Sequence, residues 1–295
     1  MTEGNPLTTE TTAAETPANA PAEKPKTDWV AEIKSIFWLI LAVLGFHSLV
    51  AKPFYIPSES MMPGLLTGDQ LVVSKFPYGW SYVSPSFHVL PFVKGRILGK
   101  LPERGDVVIA SPPSRLDEDY IKRVIGLPGD RIEVRGGTVI INGVPVKRSA
   151  VVLRPIPVDE GQPCIDPKYA DYRSVAADGK TTCALPVIRE TLPNGRSYDT
   201  IDLGYEPSVD DYPPTTIPTN HVFLMGDNRD NSADSRVPEA LGGLGGPLAW
   251  ENLGGRAEFI SFSLDGSQHW YNPLSWLGAF RGGRAGTSLH PSTKG

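Results

Sequence analysis

A serine and a lysine stand in two segments whose composition suits acyl-transfer chemistry. Ser60 lies in the run Ile56–Pro63, and Lys122 lies in the run Asp119–Arg123. A serine hydroxyl is a poor nucleophile until a neighbouring group takes its proton. A lysine amine can take that proton only when burial lowers its pKa well below about 10.4, and the residues around Lys122 are mostly apolar. The pair therefore predicts a serine hydrolase that uses a lysine as its base.

Four separated segments carry a recognisable pattern. They read Pro-Ser-Glu-Ser-Met-Met-Pro at 57–63 with Gly-Asp at 68–69, Arg-Gly-Asp-Val-Val at 104–108, Asp-Tyr-Ile-Lys-Arg-Val-Ile-Gly-Leu-Pro-Gly-Asp at 119–130, and Gly-Asp-Asn-Arg-Asp-Asn-Ser-Ala-Asp-Ser-Arg at 226–236. With these segments in this order, the chain resembles the bacterial type I signal peptidases from about Phe54 to about Ala257. The resemblance implies a serine endopeptidase without metal or cofactor, which removes signal peptides from secreted preproteins after Ala-x-Ala sites.

The resemblance also implies roles for single residues. Ser60 would attack the scissile carbonyl, and Lys122 would be the general base. The Ser58 hydroxyl and the backbone N–H of Ser60 would form an oxyanion hole, in which one preorganised donor is worth about 3 kcal/mol. Ser232 would hydrogen-bond the lysine amine and orient it. Alternating acids and guanidiniums can form bidentate pairs that support the last segment: Asp227, Arg229, Asp234 and Arg236.

Substrate selection follows from bulky residues at the positions that match the family's binding cleft. These are Phe54, Ile56, Pro57, Met61, Leu65, Tyr120 and Ile121. Bulk in the wall leaves shallow pockets, which select small side chains in the ligand. The substrate would bind in an extended conformation, as a strand added beside the segments that hold Ser60 and Lys122. The sequence departs from the family at Gly64, where relatives often carry threonine.

Several alternatives stay open at this point. Taken singly, Ser60 could cap a turn and Lys122 could be a solvated strand lysine. A histidine-based triad could use His221 or His88, although neither lies in a hydrolase motif. Among hydrolases, the chain could be a dedicated Ser/Lys maturation protease of the pilin or conjugation type. Outside the enzymes, it could be a catalytically inactive, membrane-anchored module that binds preproteins.

Composition excludes some classes of function. The net charge of −5 offers no basic surface of the kind that nucleic acid requires. The two cysteines, Cys164 and Cys183, have no histidine beside them, which argues against a metal site. A disulfide between them would be worth roughly 3 kcal/mol in the chain-entropy model. Two unpaired, buried thiols are the alternative.

The N-terminal part predicts a membrane anchor. Residues 1–28 are rich in Thr, Ala, Pro and Glu, which predicts a disordered tail. The run Ile36–Ala51 has no Asp, Glu, Lys or Arg, and with its flanks it predicts one transmembrane helix at 29–53. A cleavable signal peptide and a buried core helix are the alternatives. More lysines precede this run than follow it, so we expect a cytoplasmic tail and a catalytic domain outside a bacterial plasma membrane.

Beyond the anchor the pattern is mainly β. Short apolar runs predict six strands of an antiparallel sheet: Leu71–Val73, Val107–Ile109, Ile132–Val134, Val139–Ile141, Val222–Leu224 and Phe259–Phe262. They assign residues 54–148 and 219–267 to the catalytic domain and 149–218 to a β-rich insertion, a second subdomain without catalytic residues. Residues 268–295 form an aromatic and basic tail, whose rings could meet the bilayer surface together with Arg281 and Arg284, or pack on the sheet.

Overall fold

The computed structural model describes residues 28–85 and 94–292. Its contacts divide the chain into two units, Met1–Leu41 and Ala42–Gly295. The predicted disordered tail, apart from Asp28, lies outside the described residues, and so does His88.

The N-terminal helix α1 spans Trp29–Leu49 and is long and apolar enough to cross a membrane. Its 21 residues rise about 31 Å at 1.5 Å per residue, close to a hydrocarbon core about 30 Å thick. Asp28 caps it by accepting hydrogen bonds from the backbone N–H groups that follow. The helix ends before the predicted limit of the anchor at 53. Pro53 cannot continue a helix, and it pairs instead with Val72 as a strand residue.

The rest of the described chain is mainly antiparallel β-structure, which confirms the predicted fold class. In chain order the strands are β1 Ala51–Tyr55, β2 Asp69–Ser74, β3 Val107–Ala110, β4 Tyr120–Gly126, β5 Arg131–Arg135, β6 Thr138–Ile141, β7 Val144–Pro145, β8 Lys147–Arg148, β9 Val152–Ile156, β10 Arg173–Val175, β11 Thr181–Thr191, β12 Ser197–Ile201, β13 Tyr212–Thr216, β14 His221–Met225, β15 Leu248–Ala249 and β16 Leu253–Ser263. The short helices are α2 Pro207–Asp210 and α3 Ser275–Gly278, with 3-10 segments at Phe76–Tyr78, Pro167–Tyr172, Glu239–Leu241 and Trp250–Asn252.

Within the described residues the strands form three sheets. A seven-stranded sheet has the order β1-β2-β16-β3-β4-β14-β15, and a four-stranded sheet has the order β13-β5-β6-β7. The third sheet joins β8, β9, β10 and β12 to the long strand β11. Because β8 starts at Lys147, this sheet includes residues that precede the predicted insertion at 149–218. Strand β13, which lies within the predicted insertion, belongs to the four-stranded sheet instead. Tyr212 of β13 packs on Phe223 with ring centroids 5.0 Å apart, a contact that its Pro-rich surroundings do not reveal.

Two tight turns shape the four-stranded sheet. Gly136 and Gly137 have positive φ between β5 and β6, and Asn142 and Gly143 have positive φ between β6 and β7. Glycine and asparagine tolerate this backbone region at low cost, which is why they dominate two-residue hairpin turns. Both turns join neighbouring antiparallel strands as hairpins.

The segment after Ser60 is held between two hydrophobic cores. Met61 and Leu65 pack in one buried cluster with residues of β2, β3 and β16. Met62 and Leu66 pack in another, with residues of β11 and β12 and with Cys164 and Cys183. The two cysteines are joined by a disulfide. Neighbouring side chains of this segment thus point into two different hydrophobic clusters, and packing on both sides holds the turn in place.

Two arginines of the C-terminal segment are paired with carboxylates of the β-structure. Arg281 forms an ion pair with Asp159, and Arg284 forms one with the buried Asp69. For these two guanidiniums the structure favours the packed alternative over contact with lipid, because each already has a carboxylate partner. The aromatic and aliphatic side chains around them are exposed: Trp270, Tyr271, Leu274, Leu277 and Phe280.

Candidate active site

Ser60 and Lys122 meet at the surface of the seven-stranded sheet. Lys122 lies in β4, where it pairs with Val108 of β3. Ser60 lies in the turn between β1 and β2. Lys122 Nζ lies 2.9 Å from Ser60 Oγ and donates a second hydrogen bond of 2.9 Å to the carbonyl of Ile121. Both side chains are buried. The geometry allows direct proton transfer between the amine and the hydroxyl.

Burial lowers the pKa of Lys122 to about 8. The nearby carboxylates of Asp234 and Asp227 oppose this shift, and the guanidinium of Arg236 adds to it. At pH 7 about a tenth of the lysine is then in the free amine form, compared with far less for a solvated lysine of pKa about 10.4. The apolar neighbours of Lys122 in the sequence indicated a shift in this direction.

This pKa sets an expected pH profile. Only the uncharged amine can accept a proton, so kcat/KM for peptide cleavage should rise as the pH passes through about 8 and then level off. A series of initial rates between pH 6 and pH 10 measures this limb. A rate that still climbs steadily up to pH 10 would indicate a lysine with an ordinary pKa, and would contradict the burial argument.

Ser58, the predicted oxyanion donor, and Ser232, the predicted lysine-orienting residue, have different surroundings. Ser58 Oγ lies 3.3 Å from Ser60 Oγ and faces the cleft. Ser232 also lines the cleft, but its buried hydroxyl has no hydrogen-bond partner among the described residues. The expected hydrogen bond from Ser232 to the Lys122 amine is thus absent in this structure, in which the amine is engaged with Ser60 and Ile121.

The four charged residues that were predicted to support the segment at 226–236 form ion pairs, but they do not pair only with one another. Asp234 pairs with Arg236 at 2.8 Å, as the alternation suggests. Asp227 pairs instead with Arg123 of β4, through two hydrogen bonds of 2.7 and 2.6 Å. Arg229 pairs with Glu190 of β11 at 3.0 and 2.6 Å. These buried pairs connect the loop to both neighbouring sheets.

A cleft of about 760 Å³ opens beside Ser60 and Lys122, which are called the dyad below. Five of the seven residues predicted for substrate binding line it: Phe54, Ile56, Pro57, Tyr120 and Ile121. Met61 and Leu65 do not line it. They stand four positions apart in the turn after Ser60, with Leu65 N–H bonded to the Met61 carbonyl, and both side chains enter the core. The prediction that Met61 and Leu65 line the substrate pocket is therefore wrong, because both side chains point into the core.

Comparison with known proteins identifies the family. The family described as "Signal peptidase, peptidase S26" matches residues 28–262. The chain belongs to this family. It is 35% identical over 239 residues to signal peptidase I of Rickettsia typhi, covering 79% of this chain and 80% of that one. Signal peptidase I of Rickettsia canadensis is also 35% identical over 239 residues, with 79% of each chain covered. The chain is therefore a hydrolase, a serine endopeptidase of the signal peptidase type.

A solved structure also matches. It is a signal peptidase I from Enterococcus faecalis, 23% identical, and the match covers 53% of this chain and 97% of that chain with a TM-score of 0.27. A TM-score this low adds nothing to the description of the fold.

Two residues that contact the turn carrying Ser60 in this signal peptidase were not identified from the sequence. Asn228 donates its backbone N–H to the Ser60 carbonyl at 3.1 Å and its side-chain amide to the Glu59 carbonyl at 3.1 Å. Gly226 lies against the same turn: a Cβ there would come within 2.5 Å of the Ser60 carbonyl oxygen. Both residues belong to the fourth segment, so their place in the motif was the available signal.

The histidine-based alternative finds no support in the described residues. His221 begins β14, its Nδ1 contacts the carbonyl of Thr219, and it does not line the cleft. Its companion candidate, His88, is outside the described range. Across residues 28–85 and 94–292, no group of three or more His, Cys, Asp or Glu side chains could hold a metal ion.

Proposed function

We propose that this chain removes N-terminal signal peptides from secreted preproteins, with Ser60 as the nucleophile and Lys122 as the general base. The contact of 2.9 Å between Lys122 Nζ and Ser60 Oγ, buried at one wall of the cleft in a member of the signal peptidase family, carries this proposal. The low pKa of the lysine supports it, because an uncharged amine is what a serine needs beside it.

The proposed reaction has two stages. Lys122 accepts the hydroxyl proton as Ser60 Oγ attacks the scissile carbonyl, and the Ser58 hydroxyl with the Ser60 N–H stabilises the oxyanion. Lys122 then gives this proton to the leaving amine, so that an acyl-enzyme is formed and the mature protein departs. Water, deprotonated by the same lysine, hydrolyses the ester. Ser232, whose buried hydroxyl has no partner among the described residues, lines the same cleft and would hydrogen-bond the lysine once the contacts of the amine change.

The proposed specificity is for small residues at the first and third positions before the bond, in an Ala-x-Ala pattern. Ile56, Tyr120 and Ile121 fill the wall near Ser60 with bulky groups, which leaves shallow pockets. An extended substrate could hydrogen-bond the backbone beside Ser60 and Lys122 as an added strand.

Cleavage of a defined preprotein tests the proposal. The purified chain should cut a preprotein with an Ala-x-Ala site, and replacing either alanine of that site with phenylalanine should lower kcat/KM by at least about 100-fold, because a bulky ring cannot enter a shallow pocket. A panel of unrelated signal peptides serves as the second arm. Cleavage of only one of them would indicate a dedicated maturation protease, and binding of all without cleavage would indicate an inactive module.

The proposed location is a bacterial plasma membrane, with α1 as the anchor. Its length and apolar composition support a span. Lys24, Lys26 and Lys34 on the N-terminal side outnumber Lys52 on the other, which favours a cytoplasmic N-terminus and an active site on the outer side.

The exposed apolar side chains of the C-terminal segment provide a proposed second contact with the bilayer. Trp270 is 88% exposed, Leu274 is 76% and Leu277 is 75%, and clustered apolar exposure of this kind marks interaction surfaces. Because Arg281 and Arg284 hold Asp159 and Asp69, deletion of the segment would disturb the fold. Side-chain substitutions are therefore the cleaner test.

We expect a protein that begins at Val50 to co-sediment with phospholipid vesicles, and the triple variant W270S, L274S and L277S to lose most of this binding. The variant V151S, V152S and L153S is the matched control, because those three apolar residues are also more than half exposed and lie near and within β9. Equal binding by both variants and the parent would show that the C-terminal rings do not contact lipid.

A further inference from the structure

The 3-10 segment Pro167–Tyr172 reaches the turn that carries the nucleophile. Tyr169 of this segment is 1% exposed, and its hydroxyl donates a hydrogen bond of 2.8 Å to Glu59 Oε2. The same hydroxyl accepts hydrogen bonds from the side-chain amides of Asn228 at 2.9 Å and Asn231 at 3.0 Å. One donation and two acceptances use the full capacity of a phenolic hydroxyl. Tyr169 therefore has one defined position at the back of the active site.

Each partner of Tyr169 is tied to the nucleophile. Glu59 is the residue before Ser60. Asn228 is wholly buried and bonds the carbonyls of both Glu59 and Ser60, through its side chain and its backbone respectively. The Tyr169 hydroxyl thus holds the side chains of two residues that together fix the peptide units on either side of the Ser60 Cα. Its hydrogen bond to Glu59 also opposes the rise in the pKa of that carboxyl that burial causes.

Tyr169 is itself held by covalent and packing constraints. Cys164, three residues before the segment, is bonded to Cys183 of β11. The ring of Tyr169, the disulfide and the side chain of Met62 lie in one buried cluster. Asp166 caps the segment by accepting a hydrogen bond from the Lys168 N–H at 2.9 Å. The third sheet, formed by β8 to β12, therefore supports the Tyr169 side chain behind Ser60, although it supplies neither Ser60 nor Lys122.

We propose that Tyr169 is a positioning residue for Ser60, which acts through Glu59 and Asn228 to keep the serine hydroxyl within reach of the Lys122 amine. The proposal rests on the proposed function of the dyad. Its physical reason is that catalysis depends steeply on the position of the nucleophile, so that a displacement of about 1 Å can lower the rate about 100-fold. Residues 149–218, which the sequence assigned to a second subdomain without catalytic residues, on this view contribute to the positioning of the nucleophile.

The variant Tyr169→Phe keeps the buried ring and removes only the hydroxyl. We expect kcat to fall at least about tenfold with KM nearly unchanged, because the loss affects the nucleophile and leaves the substrate cleft intact. Tyr172→Phe is the matched control. It lies in the same segment, and its hydroxyl donates to the Leu203 carbonyl at 2.9 Å, away from the turn. It should keep the kcat of the parent even if both variants lower the melting temperature.

A double-mutant cycle separates positioning from general stability. Glu59→Ala removes the acceptor of the Tyr169 hydroxyl and leaves only the route through Asn228, so adding Tyr169→Phe to it should lower kcat by less than tenfold. Glu59→Gln keeps one carbonyl oxygen as acceptor and should restore much of the kcat lost in Glu59→Ala. Independent, multiplicative losses in the double variant would overturn the proposal, as would equal kcat losses in Tyr169→Phe and Tyr172→Phe, or an unchanged kcat in Tyr169→Phe.

The same assay with Ser60→Ala distinguishes this proposal from the proposed function. If Ser60→Ala keeps activity, the dyad assignment fails. If Ser60→Ala is inactive and Tyr169→Phe matches the parent, the dyad stands and the positioning role of Tyr169 fails.

Discussion

Replacing Ser60 or Lys122 with alanine should lower the rate of preprotein cleavage by a factor on the order of 10⁴ or more and leave the fold intact. In the proposed mechanism the two groups act as one unit across a contact of 2.9 Å, and loss of one member of such a unit usually costs about as much as loss of both. The double variant should therefore be no less active than either single one. Cleavage rates of the three variants, with circular dichroism as the check on folding, measure this.

Lys122 needs an additional variant because it is buried. Lys122→Met preserves most of the side-chain volume and removes the amine, so inactivity cannot be attributed to a cavity in the sheet. His221→Ala is the control for the histidine-based alternative, and should retain the parent rate because His221 lies outside the cleft. Loss of activity in His221→Ala together with retained activity in Lys122→Met would reverse the assignment of the base.

Gly226→Ala should have the second largest effect. The added Cβ would lie 2.5 Å from the carbonyl oxygen of Ser60 and 2.2 Å from Ser232 Oγ, distances that require the backbone of the nucleophile turn to move. We expect kcat to fall about 100-fold, since a displaced nucleophile no longer meets the lysine. Overpacking of this kind also lowers the free energy of unfolding by about 1–3 kcal/mol.

Gly64→Ala is the matched control for this effect. It lies in the same turn region, and a Cβ there would meet nothing closer than the Met61 carbonyl oxygen at 3.6 Å. Its kcat and its midpoint of urea unfolding should remain near those of the parent. If Gly226→Ala cleaves as fast as Gly64→Ala, the close approach of Gly226 to the nucleophile has no bearing on catalysis.

Local chemistry explains what the sequence could predict. Strands in the seven- and four-stranded sheets were predictable because alternating apolar runs and glycine or asparagine turns act over a few residues, as at β5 and β6. Ser60 and Lys122 were predictable as a pair because each lies in a motif with suitable neighbours. The burial of Lys122 followed from adjacent residues in its own strand.

Long-range partners explain what the sequence could not predict. Asp227 pairs with Arg123 from 104 positions away, and Arg281 pairs with Asp159 from 122 positions away. No local pattern marks either contact, so the sequence suggested a partner for Asp227 within its own loop and left Arg281 free to contact lipid or to pack on the sheet. Met61 was assigned to the cleft because the sequence does not reveal which side of a turn a residue faces.

The contacts of Arg284 have a consequence for the order in which the fold is completed during biosynthesis. Its guanidinium bonds the carbonyl of Gly64 and the carboxylate of Asp69, which lie 220 and 215 positions earlier in the turn region that follows the nucleophile. Asp69 in turn caps this region by accepting the N–H of Leu66 at 2.8 Å. A ribosome adds about 5–20 residues per second, so roughly 10 to 40 seconds separate the synthesis of Asp69 from that of Arg284. The segment that follows Ser60 thus gains its bonds to Arg284 well after its own synthesis, once the intervening 215 positions have been added.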